Sequence, residues 1–240
     1  SFHLKYRGKP LSFRFSILSS YGLQTGVSRI LNNHPMLTLQ ELSADPHQSL
    51  LFRAWTRLRS GMVILSGPTG SGKTTTLYAL LDAIAKRGQT KIMTLEDPIE
   101  INDDRFVQVA INEAGGFTYE EGIRQFMRHD PDVILIGEIR DSHTAQMAYR
   151  RALTGHMVFS SIHAKTAREA LKRLEELGLQ RKELCDTLSA ICAQRLYPRK
   201  GKEKERVCIY EILEGKQLGD VLLQKPLETY EDIYDKIRQA

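Results

Sequence analysis

Eight consecutive residues, Gly67-Pro68-Thr69-Gly70-Ser71-Gly72-Lys73-Thr74, carry the clearest chemistry in the chain. Glycines at 67, 70 and 72 let the backbone curl until successive N–H groups point inward, the arrangement that cradles phosphate oxygens. Lys73 can set an ammonium between a β- and a γ-phosphate, and the Thr74 hydroxyl can ligate Mg²⁺. With Thr75 in the same turn, residues 67–75 form the expected binding set, and ATP with Mg²⁺ is the ligand it suits. A bare glycine turn is the alternative, but a chance match to the whole pattern at ordinary composition is roughly one in a hundred.

Carboxylates and histidines fall at points where such a site needs them. Glu138 follows the apolar run Val133-Ile134-Leu135-Ile136, the place of a glutamate that orients and deprotonates an attacking water. Many phosphate-loop enzymes have an aspartate just before that glutamate to help hold the metal; here the residue is Gly137. Either Thr74 and the phosphates hold the ion, or other carboxylates assist. Glu96, Asp97 and Glu100 end the neighbouring apolar run, and Glu96 is the candidate to reach a metal through water. Pro98 favours an extended Asp97 and fixes the turn. His156 and His163 bracket the run Met157–Ser161. They read either as structural hydrogen-bonders or as sensors of the γ-phosphate or of subunit state.

These residues need a scaffold, and the pattern supplies one. Met62-Val63-Ile64-Leu65 reads as a buried strand, followed by the glycine loop and a helix from about Lys73 to Arg87. Strands are expected at 91–95, 106–109, 133–136 and 157–161, with helices at 119–128 and 142–153 between them. That alternation implies a predominantly parallel sheet with helices on both faces, an α/β fold whose ligands collect at the carboxyl ends of the strands. Helices are further expected at 166–177, 182–196 and 228–239, and a strand at 207–213. Upstream, residues 2–6 and 11–18 alternate in polarity around Arg7-Gly8-Lys9-Pro10 as a hairpin would, with another strand at 27–31. Residues 1–35 thus read as the remnant of a small domain, 36–45 as a linker and 46–240 as the main domain. Its first helix, at 46–59, carries Trp55 as a core anchor.

Composition narrows the function classes. The chain is 41% hydrophobic and 26% charged with a formal net charge of +5, which permits but does not demand an anionic partner. No apolar run approaches the ~20 residues of a membrane span, and no signal peptide is visible. The chain opens on Ser1 rather than Met, so it reads as a piece lacking an N-terminal part. Cys185, Cys192 and Cys208 make no CxxC pair, so no zinc is expected and a reducing cytoplasm suits them. Cys185 and Cys192 are expected on one buried helix face, and the basic stretch Arg195–Arg206 as a solvated loop.

Four ordered motifs together resemble a known family. They are Gly-Pro-Thr-Gly-Ser-Gly-Lys-Thr-Thr-Thr-Leu-Tyr from Gly67, Glu96-Asp97-Pro98-Ile99-Glu100, Asp130-Pro131-Asp132 with Gly137-Glu138-Ile139-Arg140-Asp141, and Thr154-Gly155-His156 through His163-Ala164. They look like the Walker A, Asp box, Walker B and His box of the GspE/PilB-type secretion ATPases of type II secretion and type IV pili. The resemblance implies a RecA-like core preceded by part of a PAS-like α+β domain. It implies a homo-oligomer, a hexamer, on the cytoplasmic face of the membrane, docked on an inner-membrane platform protein and turning ATP hydrolysis into pilin extrusion. It also implies that Arg14 and Arg29 reach toward the nucleotide, where they would stabilise phosphate charge. The four-cysteine zinc insertion usual after Gln194-Arg195-Leu196 is missing, so the chain is most similar to the compact competence-pilus branch of Gram-positive bacteria. A type II secretion or pilus ATPase of another system, a RecA-like DNA translocase and a non-catalytic nucleotide-gated scaffold are the alternatives. Intact Lys73, Thr74 and Glu138 speak against the scaffold. With aromatics at 8% and no interleaved basic cluster, direct nucleic-acid binding is not expected; DNA-stimulated, salt-sensitive turnover would favour the translocase.

Overall fold

The computed structural model describes residues 2–6, 9–31, 36–199 and 202–222. Its N-terminal part is a three-stranded antiparallel sheet, β1 (Phe2–Tyr6), β2 (Lys9–Ser20) and β3 (Leu23–Leu31), in that order. The expected hairpin is there, and the third strand begins earlier than its apolar run suggests. Tyr21 and Gly22 both have positive φ and close a two-residue loop between the paired Ser20 and Leu23, the turn chemistry that matches strand twist.

Residues 36–45 are not a bare connector. They contain α1 (Leu39–Leu42), whose two leucines are buried in the core. The elements then run α2 (Pro46–Trp55), β4 (Gly61–Ser66), α3 (Lys73–Ala85), β5 (Ile92–Glu96), β6 (Val107–Ala110) and a 3-10 turn at Glu113–Gly115. They continue as α4 (Tyr119–Phe126), β7 (Val133–Ile136), α5 (Ser142–Leu153), β8 (Met157–Ile162), α6 (Ala167–Glu176) and α7 (Arg181–Thr187). Last come β9 (Leu188–Arg199), β10 (Lys202–Glu214) and α8 (Gly215–Leu222).

Seven of the strands form one sheet in the order β10-β9-β4-β8-β7-β5-β6. All neighbours are parallel except β9 and β10. Every residue of β4, β5, β7 and β8 is buried, as strands covered on both faces must be. One core layer packs α1, α2 and α3 against the sheet through Phe52, Trp55, Tyr78 and Leu80. The opposite layer packs α4 to α8 through Ile123, Ala148, Leu171, Leu184 and Leu218. The carboxyl ends of β4, β5, β7 and β8 therefore share one edge of the sheet.

Three expectations fail around β9. The helix expected at 182–196 stops at Thr187, and the chain continues as a strand that pairs with β4 on one side and β10 on the other. The apolar run Leu188–Ala193 fits either period, and burial between two strands decides for extended backbone. Cys185 is accordingly exposed on α7 while Cys192 is buried in the sheet, so they share no helix face. The basic stretch Arg195–Arg206 belongs largely to the β9–β10 hairpin rather than to a loop. The helix expected at 228–239 lies outside the described residues, and α8 was not foreseen.

Candidate functional site

The loop between β4 and α3 is built around close approaches that only glycine allows. A Cβ on Gly67, at φ 149°, would come within 2.5 Å of the Gln194 carbonyl and the Ser71 hydroxyl. At Gly72, φ 91°, it would come within 3.2 Å of the Gln194 amide nitrogen. Gly72 is also the N-cap of α3 and offers no side-chain cap. The first amides of a thirteen-residue helix thus open onto the loop with the positive end of the helix dipole behind them. Pro68, Thr69, Gly70 and Thr75 are exposed, Thr74 is half-buried, and Ser71 is buried with its Oγ unpartnered. Lys73 folds back onto the loop, donating to the carbonyls of Gly67 at 2.8 Å and Pro68 at 3.2 Å. Burial pushes its ammonium below the usual lysine range, while the charges of Glu138 and Glu100 act to raise it.

Glu138 is held on two sides. His163 Nε2 lies 3.0 Å from Oε1, and Arg140 Nε donates to Oε2 at 2.9 Å. Arg140 also reaches Asp97 at 3.5 Å. The segment after β7 is pinned to β8, because the Ser160 and Ser161 hydroxyls donate to the carbonyls of Ile136 and Gly137 and the Ile139 amide donates to Ser161 O. A side chain at position 137 is disfavoured for a local reason. A Cβ there would meet Glu96 Cα and the Leu95 carbonyl at 3.3 Å, where β5 and β7 converge.

Glu96 is placed differently. It is 4% exposed, and its Oε1 accepts from the Tyr78 hydroxyl and the Thr94 hydroxyl, each at 2.7 Å. Gln108 Nε2 donates to the same Tyr78 oxygen at 2.7 Å. Burial raises the Glu96 carboxyl above its usual range, and the hydrogen bonds from Thr94 and Tyr78 oppose that. Glu100 is exposed at the mouth.

His156 is not part of this cluster. It stands just before β8, at the opposite edge of the sheet from the glycine loop, with Nδ1 3.2 Å from the Arg151 carbonyl and 3.3 Å from the Thr154 hydroxyl. Arg14 and Arg29 are register partners across β2 and β3; their side chains lie outside the described residues.

Sequence reasoning missed the residues that brace the site. Gln194 is fully buried on β9, where its amide nitrogen donates to Ser71 O at 2.7 Å and its Oε1 has no partner. Tyr78 and Gln108 complete the cage around Glu96. The available signal was a glutamine directly after the apolar run Ala190–Ala193, which becomes informative only once that run is read as a buried strand.

Set beside known proteins, the chain matches the family described as type II/IV secretion system protein over residues 1–233. It is 36% identical over 254 residues to competence protein ComGA of Bacillus subtilis (strain 168), covering 100% of this chain and 71% of that protein. It is 40% identical over 232 residues to competence protein ComGA of Halalkalibacterium halodurans, covering 89% of this chain and 66% of that protein. Among solved structures, the pilus retraction motor PilT with bound ADP superposes with a TM-score of 0.77 at 28% identity, over 99% of this chain and 69% of that one. Motif, sheet order and these likenesses agree: the chain belongs to the type II/IV secretion system protein family, on a RecA-like P-loop ATPase fold.

Proposed function

We propose that the chain is an ATP hydrolase whose turnover powers assembly of a competence pilus, a type IV-like fibre used in DNA uptake. The observation that carries this reading is the glycine loop and its Lys73 at the N-terminus of α3, on the same edge of the sheet as Glu138, which His163 and Arg140 hold at the tip of β7. The first-turn amides of α3 and Lys73 bind the phosphates. The carboxylate of Glu138, steadied by His163 and Arg140, orients the attacking water and takes its proton. His163 reports the presence of the γ-phosphate to β8 and α6. Glu100 adds charge at the mouth, and Glu96 shapes the β5 tip from beneath.

The residues present fit a Mg²⁺–nucleotide pair. The unpartnered Ser71 Oγ and the uncapped start of α3 mark a polar cradle. No cluster of three metal-ligating side chains occurs among the described residues. Thr74 would hold the ion through its hydroxyl, and Glu96 could be reached only through water. When bound, the ion neutralises charge on the phosphates. No zinc is part of the reading.

The wider assignment rests on the relatives. In it, residues 1–35 are the remnant of a PAS-like domain, with Arg14 and Arg29 turned to the nucleotide. The working unit is a homo-hexamer on the cytoplasmic face of the membrane, engaged with an inner-membrane platform protein and not with nucleic acid. No helix among the described residues is long and apolar enough to cross a membrane. Calorimetry with ATP tests the core of the proposal. Lys73→Ala is expected to lose at least ~10-fold in affinity through the lost phosphate contact; unchanged affinity would remove Lys73 from that role. Turnover that needs DNA and falls steeply with salt would favour a translocase instead.

A further inference from the structure

Strand β9 meets the phosphate loop through one residue. Ala193 pairs with Ser66, the last residue of β4, so Gln194 stands level with Gly67 at the base of the loop. Its backbone carbonyl lies where a Cβ on Gly67 would come within 2.5 Å, and its side-chain nitrogen where a Cβ on Gly72 would come within 3.2 Å. That nitrogen donates to the Ser71 carbonyl at 2.7 Å and has the Cys208 sulfur at 3.7 Å. The other half of the amide is unused, since Oε1 is buried without a partner. Gln194 is fully buried, and a buried amide with an unmet acceptor weakens a fold that an apolar side chain of the same shape would not. Packing therefore does not explain a glutamine here. The Ser71 carbonyl does, because it can be met only by a donor.

Peptide geometry shows what that bond controls. In a planar trans peptide the C=O and the N–H point in opposite directions. The Ser71 carbonyl and the Gly72 amide belong to one such unit. With the carbonyl drawn onto Gln194, the Gly72 N–H is turned away from β9. Gly72 is the N-cap of α3, held at φ 91°, and its N–H has no partner among the described residues. It joins the amides at the start of α3 as a donor to anionic oxygen. The neighbouring strand adds a second hold just beyond, where the buried hydroxyls of Thr76 on α3 and Tyr210 on β10 lie 3.2 Å apart. The paired strands β9 and β10 thus grip both the loop and the start of its helix.

We propose that Gln194 is a positioning residue for nucleotide binding: its amide fixes the Ser71–Gly72 peptide so that the Gly72 N–H faces the phosphates. This rests on the ATPase reading above. The loop then has its anion-binding shape before nucleotide arrives, and affinity is not reduced by the cost of ordering it. Gln194 touches no reacting atom, so its contribution falls on binding and not on the chemical step.

Two measurements test it. The first compares the wild type with Gln194→Met, an unbranched side chain of similar length that lacks the donor. Calorimetry with Mg-ADP is expected to show about a ten-fold loss of affinity, the scale of one buried carbonyl left unpaired. KM for ATP should rise by a similar factor while kcat stays within about three-fold, because Glu138, Arg140 and His163 are untouched. A role confined to stability would instead lower the number of binding-competent molecules and leave their affinity alone, and that result would overturn the proposal. So would a loss confined to kcat. The second measurement uses the wild type alone and stands even where the variant fails to fold. The side-chain N–H signals of Gln194 in NMR are expected to exchange slowly with water and to shift when Mg-ADP is added. Signals that exchange as fast as those of an exposed glutamine, or that stay in place at saturation, would overturn the proposal. A wild type that binds no Mg-ADP would sink the phosphate-site reading and this proposal with it, whereas equal binding by wild type and variant would sink the role of Gln194 alone.

Discussion

Glu96 and Glu138 end neighbouring parallel strands, β5 and β7, and in sequence they look like two versions of one residue. The fold treats them oppositely. Glu96 is enclosed, with both Tyr78 and Thr94 donating to one of its oxygens. Glu138 opens toward the phosphate loop, its oxygens steadied by His163 and Arg140 and its charge felt by Lys73. A carboxylate whose hydrogen-bonding is spent on core hydroxyls serves geometry. One whose partners are the exposed side chains of a histidine and an arginine at a cleft mouth can still take a proton. Position at a strand tip makes a residue a candidate for chemistry, and its partners decide whether it performs any.

The sharpest way to break that contrast is Glu138→Gln. It is expected to bind ATP normally and to turn it over at least ~100-fold more slowly, the scale of a lost general base. Turnover near the wild-type rate, with affinity measured in parallel, would erase the chemical half of the comparison. Glu96→Ala is next in size. It leaves the Tyr78 and Thr94 hydroxyls without their acceptor in a buried setting, which costs about 2 kcal/mol of stability. Denaturant melts would show it, and a stability loss under ~0.5 kcal/mol would mean that the enclosure does not depend on Glu96. A smaller effect is expected from Tyr78→Phe, which removes one hydroxyl shared between Glu96 and Gln108. It should cost about 1 kcal/mol and leave turnover within about three-fold. A much larger drop in turnover would make Glu96 more than a brace.

The residues of the contrast were legible in sequence, but the contrast itself was not. Strands β4, β7 and β8 and helices α3 and α5 match their expected spans to within two residues, because continuous apolar runs, the glycine loop and the caps act locally. What separates Glu96 from Glu138 is a tyrosine eighteen positions upstream on α3 and a glutamine on β6, and only the sheet order brings them together. The same limit explains β9. Its alanine-rich run satisfies helix and strand periods alike, and pairing with both β4 and β10 resolves it. The burial of Gln194 and Glu211 went unread for the same reason, since a polar residue on a strand becomes notable only when the strand is known to be buried.

The finest test of the comparison is the pH dependence of stability at Glu96. Burial raises its carboxyl in the folded protein above the ordinary 4.5, with the hydrogen bonds from Thr94 and Tyr78 only partly offsetting that. The folded chain therefore holds this proton more tightly than the unfolded one. The resulting stabilisation is complete below pH 4.5 and is lost as pH rises through the raised folded value. Glu96→Gln keeps the shape of the protonated acid and has no proton to lose. Relative to the wild type, it should be favoured progressively from pH 4.5 upward. Glu211, raised in the same direction, is present in both chains and cancels from the difference. Chemical denaturation at pH 5 and pH 8 reads that difference directly. The same gap between variant and wild type at both values would mean that the enclosure does not raise the Glu96 carboxyl, and the contrast between the two glutamates would lose its electrostatic half.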